Sequence, residues 1–249
     1  MSSWFQDRFL SVDSETTGVD IEDDRILTAA VLTIDPANHA VATRDWIIDP
    51  GVPVPMEAAA IHGYDSARIQ AEGRKDVAIA ISEIADAVMD AVHARLPIVI
   101  YNAPFDLSLL DRETRRYGLK PLQQRFHDAV EAPVVIDPLV LDKHLDRYRK
   151  GSRRLTDVSA HYGVPVGDDA HGCVADALAS ARVAYRLCQQ YPQIAKMPLQ
   201  KLHAMQVTAK AEQSASFRAY LKRQGKPFDD VRDEWPLIPF EPVHQGVLT

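Results

Sequence analysis

Three stretches near the start of the chain mix apolar with small or polar positions as buried strands do. Leu10-Ser11-Val12-Asp13-Ser14-Glu15-Thr16-Thr17-Gly18, entered from Phe9, reads as a strand running into a tight turn. Arg25 to Asp35 and Ala40 to Asp49 read as two more strands, with Asp35-Pro36-Ala37-Asn38-His39 as the turn between them. The three predict an antiparallel meander. Pro50 to Pro55 breaks the pattern, and Glu57 to Tyr64 reads as a short helix stopped at Gly63. From Asp76 to Leu96 the apolar positions Val77, Ile81, Ile84, Val88 and Val92 fall at helical spacing, which predicts an amphipathic helix against a sheet.

Strands and helices then alternate. Pro97 to Tyr101 reads as a buried strand, and a helix starts near Pro104 and runs through Leu107, Leu109 and Leu110 to Gly118. Pro133 to Asp137 reads as a strand, Leu139 to Tyr148 as a helix, and Leu155 to Tyr162 as a short helix closed by Gly163. Cys173 to Gln190 predicts a long helix whose many alanines allow close approach to its neighbours. A meander followed by alternating elements predicts an α/β fold with a mixed five-stranded sheet flanked by helices. We assign it to residues 1–192. Residues 193–249 differ in character and read as a helical, proline-containing C-terminal appendage. Pro198 to Gln224 predicts one or two helices, ahead of Trp235-Pro236-Leu237-Ile238-Pro239. Leu202 to Leu221 either packs back on the main domain or docks on a partner.

Composition narrows the picture. A chain of 249 residues, 46% hydrophobic and 25% charged, has the make-up of a globular protein with a sizeable core. No run of about 18 apolar residues is present, and Met1 to Arg8 lacks the regions of a secretion signal, so a cytoplasmic protein without a membrane partner is expected. On one helix Cys173 and Cys188 would lie about 22 Å apart, too far to bridge, and both read as small packing residues. The net charge of −7 argues against a general polyanion binder. It leaves room for nucleic acid at a carboxylate cluster whose bound cations reverse the local sign. The basic run Arg147-Tyr148-Arg149-Lys150-Gly151-Ser152-Arg153-Arg154 is either a solvated loop or a phosphate-contacting one.

The candidate chemistry is acidic. Side chains along a strand repeat with a period of two, which puts Asp13 and Glu15 on one face. Two close carboxylates repel unless a cation lies between them, and their hard oxygens favour Mg²⁺ or Mn²⁺. Asp106 falls in the first turn of the helix after Asn102-Ala103-Pro104-Phe105, at a strand-to-helix junction where α/β sheets usually carry sites. Five helical residues turn through about 500°, so His171 would not share a face with Asp176 and is expected on the loop before that helix. His62 either faces the substrate or caps its own helix, and capping is the expectation.

Taken together, Asp13-x-Glu15, Asn102-x-x-x-Asp106 and His171-x-x-x-x-Asp176 occur in the order and context that resemble the DEDDh family of 3′-to-5′ exonucleases, which includes the proofreading epsilon subunit of bacterial DNA polymerase III. Asp13 to Gly18 is similar to the family's first motif, Tyr101 to Asp106 to its second, and Ile61-His62-Gly63 to a short signature between them; the likeness covers roughly residues 8 to 190. The position before Asn102 is often histidine in the family and is Tyr101 here. The sister subgroup's tyrosine position is Gly172, so the histidine version applies.

The resemblance implies a ribonuclease H-like sheet and two divalent ions, Mg²⁺ or Mn²⁺. Asp13, Glu15 and Asp176 would hold the first; Asp13 would bridge to the second, held also by Asp106. His171 would take a proton from the attacking water. Thr16, Thr17, Asn102 and Phe105 are the expected contacts to the terminal nucleotide. The implied substrate is a single-stranded 3′ end, with DNA favoured by the Glu15-Thr16-Thr17-Gly18 form of the first motif, and the product a nucleoside 5′-monophosphate. Proofreading or repair is the implied setting, with a DNA polymerase or sliding clamp as a possible partner. Alternatives are an RNA 3′-end exonuclease of the same fold and a catalytically silent binding module.

Overall fold

The computed structural model describes residues 3–165 and 172–241. The meander forms as expected: β1 (Phe9–Thr16), β2 (Ile26–Asp35) and β3 (Ala40–Ile47) pair antiparallel, with a 3-10 turn at Pro36–Asn38 between the last two. Asp35 accepts from the Asn38 N–H in that turn at 3.2 Å. The helices α1 (Met56–His62), α2 (Ser66–Glu72) and α3 (Val77–His93) follow, then β4 (Ile98–Val99), α4 (Ala103–Arg116) and α5 (Leu122–Asp128). The last strand, β5 (Val135–Ile136), leads into α6 (Pro138–Leu145), α7 (Leu155–His161), α8 (Cys173–Gln190), α9 (Pro192–Ala195) and α10 (Leu199–Arg223). The strand order is β3-β2-β1-β4-β5, with β4 parallel to β1 and to β5. The ends of β1, β4 and β5 therefore open on one edge of the sheet.

Each face of the sheet carries its own apolar layer. On one, Ile81, Ile84 and Val88 of α3 and Leu107 and Leu110 of α4 pack against Leu10, Val12, Val31 and Ile98. On the other, Ala177, Ala181 and Ala184 of α8 lie against Ala30, Leu32 and Val99. The alanines let α8 come close enough for the buried Ser11 hydroxyl of β1 to donate to the Ala177 carbonyl at 2.7 Å. A hydroxyl inside a strand would be costly without that partner. Cys173 and Cys188 are free and buried, and burial pushes each thiol up to about 12. No helix among the described residues is long and apolar enough to cross a membrane.

Helix α10 packs on α6 and β5. β5 is the outer strand and would present unpaired backbone groups. Gln206, fully buried, accepts from the Asp137 N–H at 2.7 Å and donates to the Val135 carbonyl at 3.1 Å. His203 Nδ1 accepts from the Val135 N–H at 3.1 Å. Two side chains of α10 thus pair the strand edge that a sixth strand would otherwise cover.

Candidate active site

The site is built where β1 ends. Asp13 and Glu15 project from it, and α8, held close by Ser11, brings in Asp176 from its first turn. Asp13, Glu15 and Asp176 each present an oxygen, and these oxygens all lie within 4.8 Å of one another. Asp106, buried in the first turn of α4, accepts from the Ser14 hydroxyl at 2.6 Å. The structure therefore brings together all four carboxylates singled out in the sequence. His171 lies outside the described residues.

The electrostatics follow from crowding. Burial, and then the charges of Asp106, Asp176 and Glu15, hold the Asp13 carboxyl well above the usual carboxylate range. Burial followed by the Asp176 and Asp106 charges pushes Glu15 up to about 7. Burial raises Asp106 to about 7 as well, against the stabilising Ser14 hydrogen bond. Such a cluster is short of positive charge. Its all-oxygen donor set suits a hard divalent cation, which would favour the ionised form of every member. Asp13, Glu15 and Asp176 are the residues that could hold one.

The supporting turns explain the rest of the first motif. The β1–β2 register shifts between Glu15 and Thr16, a bulge that re-aims the chain at the site. Thr17 donates its N–H to the Arg25 carbonyl at 3.0 Å and its hydroxyl to Asp24 at 2.6 Å. The Thr17 N–H is thus engaged in closing the turn at the edge of the site. A Cβ on Gly18 would stand 2.4 Å from the Asp24 carboxylate, so any larger residue there would require the Asp24 side chain to shift. His62, left between two roles, does both a local and a longer task. Its Nδ1 accepts from the Tyr64 N–H at 3.1 Å just past α1. That fixes the proton on Nε2, which lies 3.2 Å from the Thr16 carbonyl and donates to it. Burial lowers its pKa and keeps the ring neutral.

Two residues at the site carried no signal in the motifs. Asn102, the N-cap of α4, sits in the left-handed region at φ 62°. The buried Asp137 carboxylate holds that strained turn by accepting from the N–H groups of Asn102 and Ala103, both at 3.0 Å. Trp235 in turn donates its indole N–H to Asp137 at 3.2 Å. Only the three-dimensional pairing of β4 with β5 puts Asp137 there. We expect Trp235→Phe to lose about 1.5 kcal/mol of stability, the worth of one hydrogen bond to a charged group. A thermal melt would read this as a drop of about 3–6 °C. Phe105 is half-buried at the edge of the α3–α4 layer.

The basic run divides. Arg149 donates to the buried Asp142 carboxylate at 2.8 Å, Arg153 pairs with the same carboxylate, and Tyr162 donates to it at 2.8 Å. Those two arginines are structural. Arg147, Lys150 and Arg154 are exposed.

A ribonuclease H-like mixed sheet with acids converging at the end of its central strand defines a nuclease-type hydrolase. The chain belongs to the exonuclease family: the family model described as Exonuclease (RNase_T) matches residues 10–184. It is 30% identical over 183 residues to an uncharacterized exonuclease, CP81, of Escherichia phage 186, covering 70% of this chain and 84% of that one. It is 26% identical over 182 residues to a DNA polymerase III subunit epsilon-like protein of Rhodobacter capsulatus, covering 72% of this chain but 23% of the relative. Among solved structures, E. coli exonuclease I in complex with a dT13 oligonucleotide shares the fold, with a TM-score of 0.64 and 20% identity over 76% of this chain. The chain spans only 42% of that enzyme's length.

Proposed function

We propose that the chain is a metal-dependent 3′-to-5′ exonuclease that shortens single-stranded DNA ends to nucleoside 5′-monophosphates, in proofreading or repair. The observation that carries the reading is the convergence of Asp13, Glu15 and Asp176 within 4.8 Å, with buried Asp106 beside them. Asp13, Glu15 and Asp176 would hold one divalent ion, Mg²⁺ or Mn²⁺, and Asp106 would join Asp13 at a second. Such ions supply a water acidic enough to attack near neutral pH and stabilise charge on the departing 3′ oxygen. The chain's own residues do the remaining work. His171 takes the proton of the attacking water, the general-base role for which an imidazole side chain is suited. Asn102 and Phe105, on the turn braced by Asp137, meet the terminal sugar and base. Thr16, whose carbonyl is fixed by His62, borders the same nucleotide. The epsilon-like name of the Rhodobacter capsulatus relative supports a DNA polymerase as partner.

Digestion of matched 5′-labelled single-stranded DNA and RNA with Mg²⁺ or Mn²⁺ tests the reading, because the ladder reports direction and sugar preference together. Stepwise shortening of DNA from the 3′ end is expected. Preference for RNA would move the protein to an RNA-trimming role. No metal-dependent shortening of either would leave a binding module.

A further inference from the structure

A groove of about 630 Å³ runs between the C-terminal end of α6 and the middle of α10, lined by Lys143, Arg147 and Tyr148 on one side and by Phe217 and Tyr220 on the other. A smaller cavity of about 100 Å³ continues from it, sharing Lys143, Gln213 and Phe217 and adding Lys210. That cavity reaches Asn102 and Pro104, the residues that open α4 and so lead to Asp106. The two adjoin, and together they lead from the start of α4, one turn before Asp106, to the surface. The far wall of this path, α10, lies beyond the 10–184 stretch matched by the family model.

The chemistry of the path is uneven in a telling way. Lys143 and Lys210 are half-buried in it and make no ion pair among the described residues; Lys210 reaches only the Ser214 hydroxyl, at 3.2 Å. Two ammonium groups are thus kept close together in a partly dry place with no acid bonded to them. Burial lowers the pKa of both and Lys210 lowers Lys143 further, while the Asp137 carboxylate in the wall of the same cavity, and for Lys210 also Asp233 and Glu234, offset only part of that. An anion between them would relieve both costs. Outward, Arg147 adds a charge with no ion pair among the described residues, and Arg149 and Arg153 share Asp142, with Asp146 also 3.8 Å from Arg149, against one acid lining the groove, Glu212. The surface here is positive on a chain whose net charge is −7. Flat aromatic faces accompany the charge. The Phe217 and Tyr220 rings lie parallel, 13° between planes and 6.4 Å between centroids, and are 51% and 47% exposed. Tyr148 opposite is 89% exposed. Unpaired cations followed by exposed rings are what a single strand needs, since phosphates take the first and unstacked bases the second.

We propose that this groove is the track for the single strand behind the reactive 3′ end, with a phosphodiester held between Lys143 and Lys210 and bases stacked on Phe217 and Tyr220. The proposal rests on the nuclease reading of the carboxylate site and extends it to α10. Anisotropy of 5′-fluorescein oligothymidylates of 3 to 12 nucleotides, in EDTA so that nothing is cut, tests it on the full chain. The wild type should gain affinity with length. Lys143→Gln/Lys210→Gln should bind dT12 at least about tenfold more weakly, with a log–log salt slope shallower by about 1.4 for two lost phosphate contacts. Phe217→Ala/Tyr220→Ala should lose about tenfold on dT12 with its salt slope retained. Both variants should melt near the wild-type temperature, because none of the four side chains is fully buried. Affinities for dT12 within twofold of wild type in both variants would overturn the track. Hydrolysis of thymidine 5′-(p-nitrophenyl phosphate) by the wild type with Mn²⁺ is scored separately. Its absence alongside length-dependent binding that the variants lose would overturn the nuclease reading while sustaining the track.

Discussion

Asp13→Asn is expected to reduce metal-dependent turnover about a thousandfold or more and, at pH 8, to raise the melting temperature of the metal-free protein. The two effects have one cause. Asp13 stands among Glu15, Asp106 and Asp176, and burial together with their charges holds its carboxyl well above the ordinary range. A carboxyl whose folded pKa is raised stabilises the fold below its unfolded pKa, and that contribution is lost as pH rises through the folded value. For Glu15 the window runs from 4.5 to about 7, and for Asp106 from 3.8 to about 7. The metal-free wild type should therefore melt lower at pH 8 than at pH 5. Mn²⁺ should restore more stability at pH 8, where no proton competes for the ligands. Asparagine keeps the shape and removes the charge, so repulsion falls and the metal-free fold gains. The same change would remove a proposed metal ligand, and a loss of several kcal/mol of transition-state stabilisation at about 1.4 kcal/mol per tenfold gives the expected fall in rate. Melts with and without Mn²⁺, beside the digestion assay, check both halves. A variant that keeps the wild-type Mn²⁺ shift would remove Asp13 from the metal site.

What could be read from the chain was what repeats or what has a fixed local geometry. The period of two placed Asp13 beside Glu15, and helical spacing found α3, because both patterns act over a few residues. The alanines of α8 announced a close approach, and Ser11 uses it. The short helices α2 and α5 were not read from the sequence, whereas α1 and α7, of the same seven-residue length, were marked by the glycines that follow them, Gly63 and Gly163. Asp137 and Trp235 were invisible for a different reason. Each is an ordinary residue until β4 and β5 pair and the C-terminal segment folds over them, 98 positions apart in sequence. Gln206 and His203 likewise carry no local signal, and only the bare edge of β5 gives them work. Charge misled in the basic run, where density suggested a single role. The aspartate that takes up Arg149 and Arg153 lies one turn inside the preceding helix.

That aspartate sets the second large effect. Asp142→Asn is expected to cost about 3 kcal/mol. Asp142 is fully buried and takes Arg149, Arg153 and the Tyr162 hydroxyl at once. Arg153 goes further and donates to the Asp146 carbonyl at 2.7 Å, closing the end of α6 where the helix dipole welcomes a cation. Removing its negative charge would leave two guanidinium groups with only the more distant and more exposed Asp146, 3.8 Å from Arg149, to offset them. Breaking a buried pair from one side typically costs about 3–5 kcal/mol. The side chains of Arg149 and Arg153 are 11% and 14% exposed, which places the loss at the low end of that range. A melt should show a fall of about 6–12 °C for a chain of this size. The disturbance should also travel inward. Tyr101 donates its hydroxyl to the Arg153 carbonyl at 2.6 Å, and Tyr101 precedes the strained Asn102 turn that opens α4. Amide exchange should therefore quicken both in residues 147–154 and at the start of α4. A midpoint within about 2 °C of wild type would mean that Arg149 and Arg153 are held by solvent rather than by Asp142. In that event their charge would be free for the strand, and replacing them would weaken dT12 binding in the manner assigned to Lys143 and Lys210.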